Sequence, residues 1–389
     1  MKAIIILPTY NEKENIEKII DILEQEVFPK IEKWEMGILV ADDMSPDGTG
    51  DIVRRLMKKY KNLDINQGKK NGLGAAYIRG MTYSIEKMGA DVVFEMDSDL
   101  QHDPKKVPQF LKKFDEGYDM VIGTRYSDGG SIPQSWPPQR KAFSIVANLF
   151  VRVVLMRFSI HDWTGGYRAI KKEVFLKERS ELRNFKGYIF QISFLYKAMR
   201  DGYKIAEVPF HFSDRTQGSS KIASLSYIFE VVKYVLVTRY QELERLFKFL
   251  VVGGTGFIVQ LVAQEGSVRL GVNHPTGVAI GAEIAIISNF LFNNFWTFSD
   301  TKHLKQQDNF FLRLIKFNVT SFGAIIVQYL ADFLAELAFG PTLHIFGFAV
   351  PTRIAILFPT IIFIVIPMNY IIYNKIIWKT QYLKKASSV

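Results

Sequence analysis

Asp97 and Asp99 stand one residue apart, with Gln101 two further on, just past the apolar run Val92-Val93-Phe94. Two carboxylates and an amide carbonyl are hard oxygen donors. They suit Mg²⁺ or Mn²⁺, and such ions take few protein ligands where phosphate oxygens supply the rest. The chemistry this spacing points to is a cation neutralising a diphosphate at the end of a strand. Taken by itself, the stretch is more often an ordinary acidic turn. What must decide between the two is the set of elements that position it.

Those elements alternate. Residues 3–7 read as a strand, and Pro8-Thr9-Tyr10-Asn11-Glu12 follows as a loop opening a helix over about 15–26. A second strand at 37–41 ends in Asp42-Asp43 and the turn Ser45-Pro46-Asp47-Gly48-Thr49, before a helix over 51–60. A third strand near 63–66 leads into Gly68-Lys69-Lys70-Asn71-Gly72-Leu73-Gly74 and a helix to 88. The run before Asp97 is the next strand, and 120–123 another. Strands alternating with helices imply an α/β domain with a doubly wound, mainly parallel sheet. Ligands of such sheets sit beyond the carboxyl ends of the strands, which is where every unusual loop falls. Asp42 can accept hydrogen bonds from a base edge, Gly72 and Gly74 let backbone approach a ligand, and Lys69, Lys70 and Arg79 add positive charge. The glycine turn is not a phosphate-binding Walker loop, since Gly-Lys-Ser/Thr is missing at the required place.

In this order, Pro8-Thr9-Tyr10-Asn11-Glu12, Asp42-Asp43 with Ser45-Pro46-Asp47-Gly48-Thr49, Gly72-Leu73-Gly74 and Asp97-x-Asp99-x-Gln101 resemble the family 2 glycosyltransferases of the GT-A type. The resemblance implies a Rossmann-like GT-A fold. It implies that Pro8, Tyr10, Glu12 and Asp42 hold the nucleoside, with Gly72, Gly74, Arg79 and Asp97 around the nucleotide sugar, and that Asp97, Asp99 and Gln101 hold Mg²⁺ or Mn²⁺. Met44 departs from the pattern, because relatives often carry Asn or another polar residue there.

Farther along, Gly123-Thr124-Arg125-Tyr126 ends a strand, and a loop leads into a helix over about 139–157 that begins with Arg140 and Lys141 and has an apolar body too short to span a bilayer. It suits either the lipid headgroup region or a buried core position. Two loops, Asp162-Trp163-Thr164-Gly165-Gly166-Tyr167-Arg168 and Phe212-Ser213-Asp214-Arg215-Thr216-Gln217-Gly218-Ser219-Ser220-Lys221, concentrate glycine, hydroxyls and cations, as binding of a second phosphate requires. Both look like loops of the dolichyl-phosphate mannose synthases. That similarity implies Arg125, Arg140, Ser144, Arg168, Arg215 and Lys221 around an acceptor phosphate, with Asp99, Arg125, Arg215 and Lys221 central to the transfer.

The chain has 389 residues, a net charge of +10 and no cysteine, which leaves neither a disulfide framework nor a thiolate metal site. The apolar stretches 247–270, 276–298, 312–337 and 352–377 are each long enough for ~30 Å of hydrocarbon, so the positive charge fits an anionic membrane surface better than nucleic acid. Lys302, His303, Lys305, Arg313 and Lys316 between the second and third stretches, and Lys379, Lys384 and Lys385 after the fourth, place both chain ends in the cytoplasm by the positive-inside rule. Met1-Lys2 runs directly into strand-like residues, with no signal-peptide core. The stretches also repeat. Lys248-Phe249 through Val259-Gln260 matches Lys316-Phe317 through Val327-Gln328, and Asn289 with Asn294 matches Asn369 with Asn374. This duplicated hairpin looks like the GtrA-like membrane domains that accompany polyprenyl-phosphate glycosyltransferases. Glu283 lies inside a span, where a charge either serves function or fixes helix packing.

The expected architecture is a GT-A domain over 1–221, an amphipathic helix over 222–244 and an all-α four-span domain over 245–389, with the catalytic part cytoplasmic. The expected reaction is inverting transfer of mannose from GDP-mannose to dolichyl or polyprenyl phosphate, with transfer from a uridine-linked sugar, or lipid-sugar transport gated by a nucleotide-sugar-binding domain, as the rivals. A processive polysaccharide synthase is disfavoured because no Gln-x-x-Arg-Trp run is present. Nothing in the sequence sets the oligomeric state.

Overall fold

The computed structural model describes residues 1–182, 187–213, 225–299, 309–345 and 348–378. They form two compact units, Met1–Arg239 and Tyr240–Val389. Arg215 and Lys221, and the cationic residues Lys302, His303, Lys305, Lys379, Lys384 and Lys385, lie outside the described residues.

The first unit is built on a seven-stranded sheet: β1 (Lys2–Thr9), β2 (Glu35–Asp42), β3 (Leu63–Gln67), β4 (Val92–Glu95), β5 (Met120–Thr124), β6 (Arg168–Lys171) and β7 (Ile205–Pro209), in the spatial order β3-β2-β1-β4-β6-β5-β7. All neighbours pair parallel except β6, which runs antiparallel to both β4 and β5. The helices are α1 (Ile16–Ile22), α2 (Thr49–Leu56), α3 (Leu73–Glu86), α4 (Val107–Asp115), α5 (Pro138–Leu155), α6 (Lys172–Leu182) and α7 (Gly187–Arg200).

Strand alternation assigns the two cores. Ile5, Leu7, Ile38, Val40 and Phe94 face α1, α2 and α4 through Ile19, Ile20, Val53, Phe110 and Phe114. Ile4, Ile6, Leu39, Val93 and Ile170 face α3, α5, α6 and α7 through Tyr77, Met81, Val151, Phe175 and Phe194. Burial on both sides is why the first strand reads as an unbroken apolar run rather than an alternating one. Successive connections leave β1 on opposite sides, so the switch point lies where β1 and β4 pair, Ile6 opposite Glu95.

The sequence reading places no strand at β6 or β7. It also divides what the structure makes continuous: α8 (Leu225–Arg269) runs unbroken from the amphipathic segment into the first apolar stretch, and the boundary between the units falls at Arg239 and Tyr240 within it. The second unit adds α9 (His274–Phe292), α10 (Phe310–Phe339), the hairpin of β8 (Thr342–Ile345) and β9 (Phe348–Pro351), α11 (Thr352–Thr360) and α12 (Ile366–Ile372). The segments Ile228–Arg269, His274–Thr297, Phe310–Phe339 and Thr352–Ile377 are long and apolar enough to cross a membrane. Phe290, Phe298, Phe317, Tyr373 and Trp378 form their aromatic core.

Candidate active site

At the switch point, the loops after β1, β2 and β4 come together. Ser98 Oγ donates to the Pro8 carbonyl at 3.0 Å, tying the acidic loop to the end of β1. Asn11 N donates to Ser45 Oγ at 3.1 Å and Glu12 N to Thr49 Oγ1 at 3.1 Å, tying the first loop to the second. Each loop holds one non-glycine residue in the left-handed region: Asn11 (φ 63°), Met44 (φ 55°) and Leu100 (φ 64°). Such conformations cost on the order of 1–2 kcal/mol per residue and collect at ligand sites. Asn bears this cost more readily than Met, which gives the Met44 departure a physical content. Gly72 (φ 89°) makes the turn that opens α3, and Gly74 is buried in its first turn.

The acidic loop is braced from below. Asp97 Oδ1 accepts from Tyr77 OH at 3.1 Å, and Asp99 Oδ1 accepts from Gln101 N at 3.1 Å. Gln101 Nε2 donates to the Ser213 carbonyl at 3.1 Å. His102, which the sequence reading passed over, accepts the Asp97 amide at Nδ1, 3.0 Å away. The ring therefore carries its proton on Nε2, which stands 3.7 Å from Asp97 Oδ2. Burial lowers its pKa, and it stacks on Tyr167 at 4.9 Å and 9°. Asp97 keeps 31% of its side chain exposed, whereas Asp99 is buried. Among the described residues no three His, Cys, Asp or Glu side chains converge as a metal cage. Two carboxylates with an amide nearby is the donor set of a hard cation completed by phosphate, so these residues fit that group.

Tyr10 is exposed, with Lys70 Nζ 3.2 Å from its ring centroid. Glu12 accepts from Asn15 Nδ2 at 2.9 Å. Asp42 is fully buried, and its oxygens accept from Thr9 Oγ1 (3.0 Å), Ser45 Oγ (2.5 Å) and Gln67 Nε2 (2.8 Å). A base contact by Asp42 therefore requires one of these donors to give way. Arg79 pairs with Asp43 at 2.9 Å and donates to Asn66 Oδ1 at 2.9 Å, so it joins the ends of β2 and β3.

On the other flank, Arg125 grips buried Asp162 through Nε (2.7 Å) and an η nitrogen (2.8 Å), and reaches Thr164 Oγ1 at 2.9 Å. Burial alone would raise the Asp162 pKa, but the Arg125 charge and its hydrogen bonds outweigh it and hold the carboxyl low. Arg140 lies over the Trp136 ring at 3.8 Å, and Ser144 Oγ meets Tyr126 OH at 2.5 Å.

Arg168 is a correction. Its side chain is fully buried, and it donates to the carbonyls of Gly165 (3.0 Å), Gln191 (2.6 Å) and Trp163 (3.2 Å). It sits across from Glu95 in the β4–β6 register, burial lowering its own pKa to about 10 and raising that of Glu95 to about 7. A buried guanidinium committed to three backbone carbonyls, two in the loop before β6 and one in α7, does not meet a lipid phosphate. Helix α5 splits by face: Asn148, Val151 and Leu155 are buried, while Phe143, Val146, Leu149 and Val153 are about half exposed or more.

Residues 4–178 match Glycosyl transferase family 2, and residues 248–378 match the GtrA/DPMS transmembrane domain. The dolichol-phosphate mannosyltransferase of Pyrococcus furiosus is 34% identical over 337 residues, covering 85% of this chain and 89% of that protein. The chain belongs to the dolichol-phosphate mannosyltransferase family. Within reach of the same family, the polyprenol monophosphomannose synthase of Mycolicibacterium smegmatis is 37% identical over 57% of this chain and 81% of its own length. Among solved structures, the glucosyl-3-phosphoglycerate synthase of Mycobacterium tuberculosis with Mn²⁺, UDP and glucosyl-3-phosphoglycerate superposes with a TM-score of 0.44 at 18% identity, covering 61% of this chain and 79% of that one. Family membership makes this a glycosyltransferase with a C-terminal membrane domain.

Proposed function

We propose that this chain transfers mannose from GDP-mannose to the phosphate of dolichol or another polyprenol at the cytoplasmic face of a membrane. The observation that carries the reading is the 34% identity, over 85% of the chain, to a dolichol-phosphate mannosyltransferase, combined with the acidic loop at the sheet's switch point.

The nucleoside is assigned to Pro8, Tyr10, Glu12 and Asp42, with Gly72 and Gly74 allowing close backbone approach and Asp97 beside the sugar diphosphate. Asp97, Asp99 and Gln101 would hold Mg²⁺ or Mn²⁺, whose charge would neutralise the departing nucleoside diphosphate. His102, Tyr77 and Ser98 keep that loop in place. The acceptor is a phosphate monoester, ionised near neutral pH, so one of its oxygens can attack the anomeric carbon without a strong base. A carbon–oxygen bond to the lipid phosphate forms as the bond to the nucleoside diphosphate breaks, and attack from the opposite face inverts the centre. Arg140, Ser144, Arg215 and Lys221 are assigned to the acceptor phosphate. Arg125, also assigned to the acceptor phosphate, is held by Asp162 and braces the Thr164 loop. The exposed apolar face of α5, starting next to Arg140, suits headgroup-depth insertion that brings the lipid phosphate to these cations. The cytoplasmic orientation rests on the cations between the second and third spans.

The test is incubation of the full-length chain in detergent with labelled GDP-mannose or UDP-glucose, dolichyl phosphate and Mn²⁺. Lipid-linked label from GDP-mannose, lost in EDTA and in Asp99→Ala, is expected. Equal transfer in EDTA overturns the assignment of the acidic loop, and preference for UDP-glucose overturns the donor.

A further inference from the structure

The duplicated hairpin of the second unit encloses a feature that sugar transfer does not use. A cavity of about 330 Å³ lies among α8, α9, α10 and α12. The internal repeat runs through its walls. Phe249 faces it from the first hairpin and Phe317 from the second, and these are equivalent positions. Asn289 and Asn369 are likewise equivalent, and the same register pairs Asn293 with Tyr373, both of which also line it. The cavity thus sits on the pseudo-twofold relation between the hairpins.

Besides Tyr373, its polar side chains are asparagines. Among the described residues, the side-chain oxygens of Asn289, Asn293 and Asn369 are buried and accept no hydrogen bond. Asn293 is only 2% exposed, and its amide nitrogen already donates to the Asn289 carbonyl at 2.9 Å, so what it can offer the cavity is an acceptor. A buried acceptor without a donor is destabilising, and an unsatisfied group in a membrane span is no less so. Asn289 also packs so closely on α8 that a Cβ at Gly256 would lie 2.2 Å from its oxygen. The backbone has made room for this amide.

We propose that the cavity binds the hydroxyl-rich sugar head of a lipid. Three unpartnered carbonyl acceptors on residues that line one cavity call for a ligand with several O–H donors. The aromatic walls Phe249, Phe317 and Tyr373 suit the C–H faces of a sugar ring, and the volume lies at the small end of the ~300–1,000 Å³ typical of ligand pockets. One helical turn before Phe249 and Phe317, at repeat-equivalent positions, stand Arg245 and Arg313. Arg245 donates to Asn374 Oδ1 at 3.2 Å and Arg313 is buried, so a phosphate joined to that sugar would compete with their present partners for these guanidinium groups. The class is a glycosyl isoprenoid phosphate. That the sugar is mannose rests on the function proposed above.

The test is photoaffinity labelling of the full-length chain in detergent with mannosyl farnesyl phosphate carrying a diazirine on the sugar, followed by peptide mapping. Labelling of the segments around Asn289–Asn293 and Asn369–Tyr373, competed by unlabelled mannosyl farnesyl phosphate at least tenfold better than by farnesyl phosphate, is expected. Gly254→Leu should abolish it without harming the fold, because a Cβ at Gly254 meets nothing within 4 Å and Leu favours helix over Gly. Asn369→Leu should reduce it at least tenfold. Labels confined to residues 1–239, equal competition by farnesyl phosphate, or undiminished labelling of the second unit in both variants each overturn the proposal. An Asn369→Leu chain that melts higher and labels as before would mean that the cavity holds only water. Labelling of the first unit reports separately on the proposed catalytic site, so loss there with retention here counts against that reading alone.

Discussion

His102 offers the sharpest test of how the acidic loop is held. The loop contains Leu100 in the left-handed region, so its shape stands against local preference by about 1–2 kcal/mol. The His102 ring opposes that tendency with two separable contacts: Nδ1 accepting the Asp97 amide at 3.0 Å, and a near-parallel stack on Tyr167. His102→Phe keeps a ring against Tyr167 and removes the acceptor. The Asp97 amide, left without a partner, costs about 1–3 kcal/mol. A middle value of ~2 kcal/mol is roughly thirtyfold in the balance between held and displaced loop. The Mn²⁺ concentration giving half-maximal mannosyl transfer should rise by about that factor. His102→Asn places an amide oxygen where Nδ1 was, so it should restore most of the Mn²⁺ response. It loses the stack, about 0.5–1.5 kcal/mol, and should melt lower than the parent. The measurement is transfer rate against Mn²⁺ concentration for the three chains, with thermal melting alongside. A parent-like Mn²⁺ curve for His102→Phe, with His102→Asn impaired, would show that the ring and not the acceptor matters, and the reasoning would fail.

Arg168→Met strips three backbone carbonyls of their donor and leaves Glu95 without its neighbouring cation, which should destabilise the first unit by about 3–5 kcal/mol. The folded protein should keep its KM for dolichyl phosphate, whereas an unchanged melting point with a raised KM would restore Arg168 to the acceptor site. Glu178, buried in α6 beside Asp201, has its pKa raised from 4.5 to about 7, first by burial and then by the Asp201 carboxylate. A folded-state value above the unfolded one means the native state holds the extra proton, so stability is full below about pH 4.5 and falls as pH rises through about 7. Glu178→Gln should therefore raise the melting point more at about pH 8 than at about pH 5, and an equal gain at both would refute the assignment.

What the sequence made legible follows from signal length. An apolar run such as Ala3–Leu7, bounded by Pro8, can be little else than a buried strand, and the four spans declare themselves by length alone. The strands β6 and β7 are short, Arg168 and Lys171 bound the first and Glu207 interrupts the second, and β6 starts directly after Gly165-Gly166-Tyr167, which resembles a loop. The break expected between the amphipathic segment and the first span reflects Glu242, Glu244, Arg245 and Lys248, a charge cluster that looks like a linker. The helix carries it through, in part by pairing Glu244 with Lys248 at 2.7 Å, one turn apart.

The fate of the acceptor cations has a physical cause that residue types do not reveal. Arg125 follows β5 and Arg168 ends the 162–168 loop, and in this structure Arg125 pairs with Asp162 while Arg168 binds backbone carbonyls. The reason lies in β6. An antiparallel strand inserted between β4 and β5 must enter the sheet from the ligand side, so the chain before it crosses the site mouth and turns inward. Asp162, Thr164 and Gly165 make that crossing, and a crossing segment has carbonyls and amides that no strand satisfies. Arg168 takes two of those carbonyls, Trp163 and Gly165, and Asp162, gripped by Arg125, takes the amides of Arg125 and Gly165 at 3.2 and 3.0 Å. The Gly165 carbonyl and amide are thus both taken, by Arg168 and Asp162, which fixes the loop. The same guanidinium geometry that grips a phosphate grips a backbone turn, and the sequence cannot separate the two uses without the strand direction. Among the described residues, Arg140 is the acceptor candidate whose helix, α5, stands outside the sheet.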